Sequence, residues 1–140
     1  MKTSALPRYA LLFFALGFGR VQAALKWQDK EISVEVRRGV QEDVRAKFDF
    51  KNTGRKAVAI LGVTTSCGCT VANPESSTVA AGTKSNVQAL FTIGDRRGQQ
   101  VKQITITTDD PESPETVLTL KINILEPAAA PPAGPGRSGR

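Results

Sequence analysis

Apolar residues in the middle of this chain recur at every second position, and this alternation constrains the fold more than any other feature. Val44, Ala46, Phe48 and Phe50, for example, alternate with charged residues. A period of two places the apolar side chains on one face of a β-strand. The same pattern and a high content of β-branched residues predict further strands over residues 32–36, 57–63, 87–93, 101–107 and 117–125, with short extended pieces near 25–27 and 70–71.

Turn residues separate these segments, and no segment has the period of a convincing amphipathic helix. Short strands at intervals of about 8 to 15 residues are typical of two sheets packed face to face. The sequence therefore predicts an all-β fold, an immunoglobulin-like antiparallel β-sandwich of about seven strands. Residues 57–63 are apolar on both faces, which predicts a central position in a sheet. The antibody variety is excluded because the only two cysteines lie too close in sequence to bridge the sheets.

The first 23 residues have the organisation of a secretory signal peptide. Lys2 and Arg8 give a positive start, residues 9–18 form an apolar run, and residues 21–23 (VQA) are a small-x-small cleavage site. The apolar run is well short of the roughly 20 residues that a membrane-spanning helix needs. We therefore expect export to the periplasm, cell envelope or extracellular space, a mature chain that begins near Ala24, and no transmembrane segment after cleavage.

Residues 127–140 are rich in proline, alanine and glycine and offer almost nothing large to bury, so we expect a disordered tail. The folded domain then comprises residues 24–126, an ordinary size for one domain. Without the basic residues of the signal peptide and the tail, the formal charge falls from +6 to about +1. Nucleic-acid binding needs basic residues clustered on one face, so this balance, together with export, argues against a nucleic-acid partner.

The composition also limits the chemistry that is possible. The chain has no histidine, which excludes Ser-His and Cys-His nucleophile pairs and mixed Cys/His zinc sites. Its only methionine is Met1, which excludes thioether copper sites. Asp109 and Asp110 lie in a proline-containing turn, where a structural role is the simpler interpretation. The sequence therefore predicts a protein that is not an enzyme, with no catalytic residue and no cofactor.

Cys67 and Cys69 remain as candidates for chemistry. On an extended strand their alpha carbons would lie about 6.6 Å apart, near the upper limit of the roughly 4.4–6.8 Å found in disulfides. A bridge is feasible if Gly68 takes a bent, positive-φ conformation, and it would be strained and easily reduced. An oxidising compartment favours pairing. A redox or disulfide pair, buried structural thiols and a soft-metal site for an ion such as Cu(I) all stay open.

Two short blocks of residues form a distinctive pair. The first is F-x-F-x-N-T-G, formed by Phe48, Phe50, Asn52, Thr53 and Gly54, and the second is S-C-G-C-T, formed by Ser66, Cys67, Gly68, Cys69 and Thr70. Together these blocks resemble the bacterial family called domain of unknown function 1573. The resemblance extends over residues 27–125. It implies an exported immunoglobulin-like sandwich, and it implies no activity.

Asn52 and Gly54 have a plain physical interpretation, because both residue types tolerate the left-handed conformations that tight strand connections need. We assign them to folding. The leading functional hypothesis is a non-enzymatic binding or structural module of the periplasm or cell envelope, which contacts an unidentified protein through its sheet edges or loops. The alternatives are a thiol-disulfide redox protein that uses Cys67 and Cys69, and a copper carrier that uses the same pair.

Overall fold

The computed structural model describes residues 24–128, so the predicted signal peptide and most of the predicted tail lie outside the described residues. None of the described residues forms a helix long and apolar enough to cross a membrane. The strands of this region are β1 (Leu25–Trp27), β2 (Glu31–Arg37), β3 (Asp43–Asn52), β4 (Val58–Thr65), β5 (Thr70–Pro74), β6 (Thr78–Val79), β7 (Lys84–Thr92), β8 (Gly98–Thr108) and β9 (Glu115–Leu125).

These strands form two sheets packed face to face. The four-stranded sheet has the order β1-β3-β7-β5, and the five-stranded sheet has the order β2-β9-β8-β4-β6. The predicted all-β sandwich is confirmed. The described residues form nine strands rather than about seven. The strand with no counterpart in the predicted segments is β6, whose two residues are too few to show a period.

One strand pair departs from the predicted antiparallel arrangement. β2 pairs with β9 in parallel, with Glu31 opposite Thr119 and Arg37 opposite Leu125. Residues 28–30 carry the chain from the edge of one sheet to the edge of the other, and β2 then runs beside the last strand in the same direction. The alternation of apolar residues predicts a strand and its buried face, but it holds no information on the direction of the neighbouring strand.

The core lies between the sheets and is formed by the inward-facing positions that the alternation predicts. Phe48 and Phe50 of β3 are buried there, and the ring of Phe50 lies 4.5 Å from that of Trp27 between centroids. The other sheet contributes the fully buried residues Ile104, Ile106, Leu118, Leu120 and Ile122. Burying one such side chain contributes about 1.5–3 kcal/mol. Apolar packing therefore holds the two sheets together.

β4 lies between β8 and β6 in the five-stranded sheet, as predicted, but it has a paired neighbour on both sides over its first two residues only. Its side chain Leu61 is 65% exposed. The pairing of β4 with β8 shifts register between Ile60 and Gly62, and β6 pairs with only the first two residues of β4. The central position is therefore confined to the start of β4, because β6 ends after two residues. A neighbouring strand in the same sheet pairs through backbone groups and does not cover the face that carries Leu61.

Candidate functional site

The two cysteines lie in residues 66–69, here called the disulfide turn, which connects β4 to β5 and so joins one sheet to the other. Their Sγ atoms are bonded, and their alpha carbons are 5.3 Å apart. This distance is within the usual disulfide range because the segment is a turn and not an extended strand. The strain expected from extended geometry therefore does not arise. Gly68 has no positive φ, so that expectation is wrong as well.

Two threonine hydroxyls support the disulfide turn from inside. The hydroxyl of Thr65 lies 3.0 Å from the carbonyl oxygen of Cys67 and 2.9 Å from that of Thr70, and its single hydrogen serves both. Thr70 is buried, and its Oγ1 lies 3.7 Å from the Sγ of Cys67 and 4.0 Å from that of Cys69. Its N–H donates to the carbonyl of Cys67. These contacts fix the shape of the turn around the sulfur atoms.

Ser66 anchors the disulfide turn to the five-stranded sheet. Its N–H donates to the carbonyl of Gln103 in β8, and its Oγ accepts a hydrogen bond from the N–H of Gln103 at 3.1 Å. On the other side, the carbonyl of Cys69 accepts from the N–H of Thr92 in β7. Because each end of the turn is bonded to a different sheet, the cysteine pair is held by the sandwich itself.

The bonded state of the cysteines decides which chemistry this site offers. A disulfide provides no thiolate, so neither sulfur is a strong metal ligand while the bond is intact. Residues 24–128 also contain no group of three or more cysteine, aspartate or glutamate side chains placed to hold a metal ion. Both cysteines are half-buried and Gly68 is exposed, so a reductant can reach the turn from solvent. The arrangement therefore suits reversible reduction better than metal binding.

A second candidate site is an unpaired stretch of backbone beside this turn. Among residues 24–128, no strand pairs with residues 61–65 on the side of β4 away from β8, although β5 of the other sheet approaches β4 without pairing with it. The N–H of Ser66 points to β8, and backbone groups alternate in direction along an antiparallel strand. Val63 and Thr65 therefore direct their N–H and C=O groups away from β8. We call residues 61–65 the open edge.

The neighbouring edge strand β5 is much better protected. The carbonyl of Cys69 and the N–H of Glu75 bond to β7, so the even-numbered residues between them face outward. Of these, Pro74 has no N–H and Thr70 is bonded locally. Only Ala72 keeps both a free donor and a free acceptor. A proline on an edge strand is a common protection against unwanted strand pairing.

A groove of about 720 Å³ lies on the outer face of the four-stranded sheet, between β3 and β5. Arg45 and Lys47 line it on one side and the exposed Val71 on the other. Asn86 is buried at its floor; the side-chain N–H of Asn86 donates to Glu75, and its Oδ1 has no partner among the described residues. The groove gives the β5 side of the molecule a concave surface with cationic and apolar parts.

The first sequence block is organised around Asn52. This side chain is fully buried at the end of β3, and its Nδ2 donates to the carbonyls of Lys56 at 2.8 Å and Val79 at 2.9 Å. Its Oδ1 accepts from the N–H of Gly54 at 2.9 Å. Neither Asn52 nor Gly54 has a positive φ, so the predicted left-handed role is wrong. Asn52 serves as a hydrogen-bonded clamp, and Gly54 is required for space.

The need for space at Gly54 comes from Ala24. A Cβ added at Gly54 would lie 2.9 Å from the Cβ of Ala24, closer than two such atoms approach. Thr53 donates two hydrogen bonds to the carbonyl oxygen of Ala24, one from its N–H at 2.7 Å and one from its hydroxyl at 3.1 Å. The Thr53–Gly54 turn thus holds the first residue of the described domain. The sequence carried no sign of this contact, because the two segments lie far apart along the chain.

The structure does not bring the two blocks together. β3 ends at Asn52, and its first residue, Asp43, is paired with Thr92 next to the disulfide turn. The asparagine clamp and the disulfide turn therefore lie at opposite ends of a ten-residue strand, about 30 Å apart at a rise of roughly 3.3 Å per residue. Each block acts locally at its own end of the sandwich.

Solved structures with the same fold come from several sources. A protein of unknown function from Porphyromonas gingivalis W83 has a TM-score of 0.63 and 17% identity, with 76% of this chain and 51% of that chain covered. The ASH/PapD-like domain 7 of human CEP192 has a TM-score of 0.61 and 13% identity, with 90% and 97% covered. The YadV chaperone has a TM-score of 0.54 and 13% identity, with 72% and 52% covered.

Identities this low show a shared fold and nothing about activity. The chain spans about half the length of the Porphyromonas gingivalis protein. No curated protein matches the chain. The family described as protein of unknown function DUF1573 matches residues 25–124, from the first residue of β1 to the penultimate residue of β9. The chain therefore belongs to the DUF1573 family, as the resemblance predicted.

Proposed function

We propose that this chain is an exported, non-enzymatic module of the periplasm or cell envelope that binds a partner protein by adding an extended segment of it to the open edge. The observation that carries the proposal is the outward direction of the backbone groups of Val63 and Thr65, which pair with no strand among residues 24–128. Exposed edges of this kind accept an additional strand, and their backbone hydrogen bonds supply affinity.

Side chains near the open edge offer a basis for specificity. Leu61 is the most exposed large apolar side chain of β4, and it lies at the start of the open edge. Val63 of β4 and Ala72 of β5 are partly buried and pack against the core. An extended segment along β4 would cover these apolar groups, with alternate side chains directed towards them. A partner segment with apolar residues at every second position suits this surface best.

The absence of an enzymatic role is supported by the composition. The chain has no histidine and its two cysteines are bonded to each other, which removes the common nucleophile and general-base arrangements. Export is supported by the organisation of residues 1–23. The fold is shared with proteins named chaperones, including the periplasmic chaperone SfaE at 11% identity and a TM-score of 0.52. This likeness is compatible with protein binding but carries no partner over to this chain.

Site-specific photo-crosslinking in the exported protein tests the proposal. A photoreactive residue replaces Leu61 in one variant and Val101, an exposed apolar residue of β8, in the control. We expect one protein adduct from position 61 and none above background from position 101. A synthetic peptide of the crosslinked segment should then slow amide exchange at Val63 and Thr65 in the purified chain.

The matched substitutions are Leu61→Lys and Val101→Lys. A charge placed beside a strand-accepting edge opposes pairing, so Leu61→Lys should weaken peptide binding by roughly tenfold, while Val101→Lys leaves it unchanged. Equal adducts from both positions, or amide protection on β2 and not on β4, would show that the open edge is not the binding surface.

A thiol-disulfide function is the second candidate, and the half-buried, bonded Cys67 and Cys69 in a solvent-accessible turn favour it. Reduction would convert the bridge to two thiols, with two electrons and two protons supplied by an external dithiol. The copper carrier is the weaker form of this candidate, because binding needs the pair to be reduced first.

A further inference from the structure

Asp110 is a buried carboxylate without a cationic partner. The residue is only 7% exposed, and none of the ion pairs formed within residues 24–128 includes it. Buried aspartates are rare unless they are paired, because an unpaired charge loses its hydration without compensation. The neighbouring Asp109 is exposed, as expected for a carboxylate in a turn. A cationic group beside Asp110 would therefore offset this loss of hydration.

The atoms bonded to Asp110 indicate where that group would be. Its Oδ2 accepts a hydrogen bond from the backbone nitrogen of Ala24 at 2.8 Å, and its Oδ1 accepts from the N–H of Glu112 at 3.2 Å. The hydroxyl of Thr108 accepts from the N–H of Asp110 and fixes the backbone of the turn. The carboxylate is thus directed at the nitrogen of the first described residue.

The same residue is held at its other end. Thr53 bonds to the carbonyl of Ala24, and Gly54 leaves space for its methyl group. We call Thr53, Gly54 and Asp110 the N-terminal seat. Three groups from two distant turns therefore converge on the nitrogen, the side chain and the carbonyl of one alanine. A residue in the middle of a connecting segment would not need contacts at all three of these groups.

We infer that the N-terminal seat binds the new amino terminus that cleavage between Ala23 and Ala24 creates. An export-linked peptidase adds water across this amide; the carboxylate leaves with Ala23, and the amine that remains on Ala24 takes a proton. The neutral N–H beside Asp110 becomes an ammonium group with three N–H donors and a positive charge. This inference rests on the export included in the proposed function.

Cleavage would therefore stabilise the domain that it releases. Before cleavage, Asp110 has one neutral hydrogen bond from Ala24. After cleavage, the same atoms form a charge-assisted bond, which is roughly twice as strong as a neutral one. The gain is confined to a chain whose first residue is Ala24, because an additional residue would move the charge away from the seat.

The first test is N-terminal sequencing of the exported protein. We expect the sequence to begin with Ala24. A chain that begins at any other residue contradicts the inference, whereas failure of the protein to be exported contradicts the proposed function together with it. Correct cleavage combined with a negative result in the second test would leave the proposed function intact and exclude the seat.

The second test compares the mature chain with a free amino terminus and with an acetylated one, each in three backgrounds: the parent, Asp110→Asn and Asp109→Asn. Acetylation should lower the folding equilibrium constant of the parent by roughly tenfold. It should have the same effect on Asp109→Asn, because the carboxylate of Asp109 accepts a hydrogen bond from the N–H of Ala59 and not from Ala24. In Asp110→Asn the effect should largely disappear.

An equal effect of acetylation in all three backgrounds would overturn the inference. Amide exchange at Thr53 provides a measurement that needs no substitution, because this N–H is bonded to the carbonyl of Ala24. Exchange should be several-fold slower in the free-amine form than in the acetylated form. Identical exchange in the two forms would also exclude the seat, even if Asp110→Asn does not fold.

Discussion

At the scale of single residues, Asn52 shows that a polar side chain in a turn motif holds three segments of the chain in place. Its amide group bonds to Lys56, Val79 and Gly54 and is completely removed from solvent. Each of these bonds replaces one that the group would form with water, so their loss leaves buried polar groups without a partner. The clamp is therefore worth more to the fold than its three hydrogen bonds alone.

The substitution Asn52→Ala should lower the free energy of unfolding by about 3 kcal/mol or more, because three hydrogen bonds are lost and the carbonyl of Val79 stays buried without a donor. Urea denaturation followed by circular dichroism measures this change. Asn73→Ala, at an exposed position of β5, is the control and should change stability by less than about 0.5 kcal/mol. Similar costs for the two variants would show that Asn52 is not a clamp.

Residues of this kind mark the limit of prediction from sequence. The sequence suggested that Asn52 matters for folding, but it gave a left-handed backbone as the reason, and the structure has none there. The sequence places Asp110 in a proline-containing turn, but it does not indicate that the residue is buried against Ala24. Whether a polar residue in a turn is exposed or clamped depends on which distant segment packs over it, and a local pattern cannot show that.

At the scale of secondary structure, the edges of the two sheets differ in how well they are protected. β1 and β6 are very short, and β5 contains Pro74 at an outward-facing position. β2, the remaining edge, is seven residues long and is protected by the exposed charged residues Glu31, Glu35 and Arg37. The open edge of β4 has no such device. Selective protection of the other edges is what a domain needs if one edge is to accept a partner while the others stay inert.

Replacement of Pro74 by threonine should give β5 an additional outward N–H and so promote pairing of β5 with a second copy of itself. Such a pair would form at least two new backbone hydrogen bonds, each worth about 0.5–1.5 kcal/mol, so the association constant should rise by roughly tenfold. Sedimentation analysis measures it. Asn73→Thr is the control, because the N–H of Asn73 faces β7 and no free donor is created. Equal association in both variants would argue against this role of the proline.

The positions of most strands follow from the sequence, because each strand has one buried face and the alternation of apolar residues records that face directly. Phe48 and Phe50 illustrate this, since both are buried as the pattern predicts. The residue pattern of a strand does not show which strands lie beside it. Residues 57–63 are apolar on both faces, which predicts a central strand, yet β6 pairs with only the first two residues of β4 and Leu61 is exposed. Edge and centre are properties of the sheet and not of the strand.

At the scale of the whole molecule, the disulfide contributes little to holding the sandwich together. It joins residues two positions apart in one turn, while the apolar core lies between the sheets. A loop this short restricts the unfolded chain only slightly, so Cys67→Ser with Cys69→Ser should cost about 1–2 kcal/mol and leave the fold unchanged. Denaturation measures the cost, and circular dichroism checks the fold.

The same double variant separates the candidate functions. If the chain acts as a binding module, the double variant keeps its affinity for the peptide. If the cysteine pair has a redox function, mild dithiols should reduce the disulfide of the parent chain reversibly, and mass spectrometry after alkylation measures this. Ser66→Ala, which keeps both cysteines, is the control for changes in the turn itself. Loss of the fold in the double variant would contradict the view that packing of the apolar core is sufficient to hold the two sheets together.

The parallel pairing of β2 with β9 has a consequence for the order in which the domain assembles. Contacts between these strands join residues up to 90 positions apart, for instance Glu31 with Lys121. β2 therefore cannot find its place until almost the entire domain is available, and such high contact order slows folding. Under the export that we propose, the chain crosses a membrane unfolded. This topology would then keep the domain incomplete until β9 has emerged on the far side.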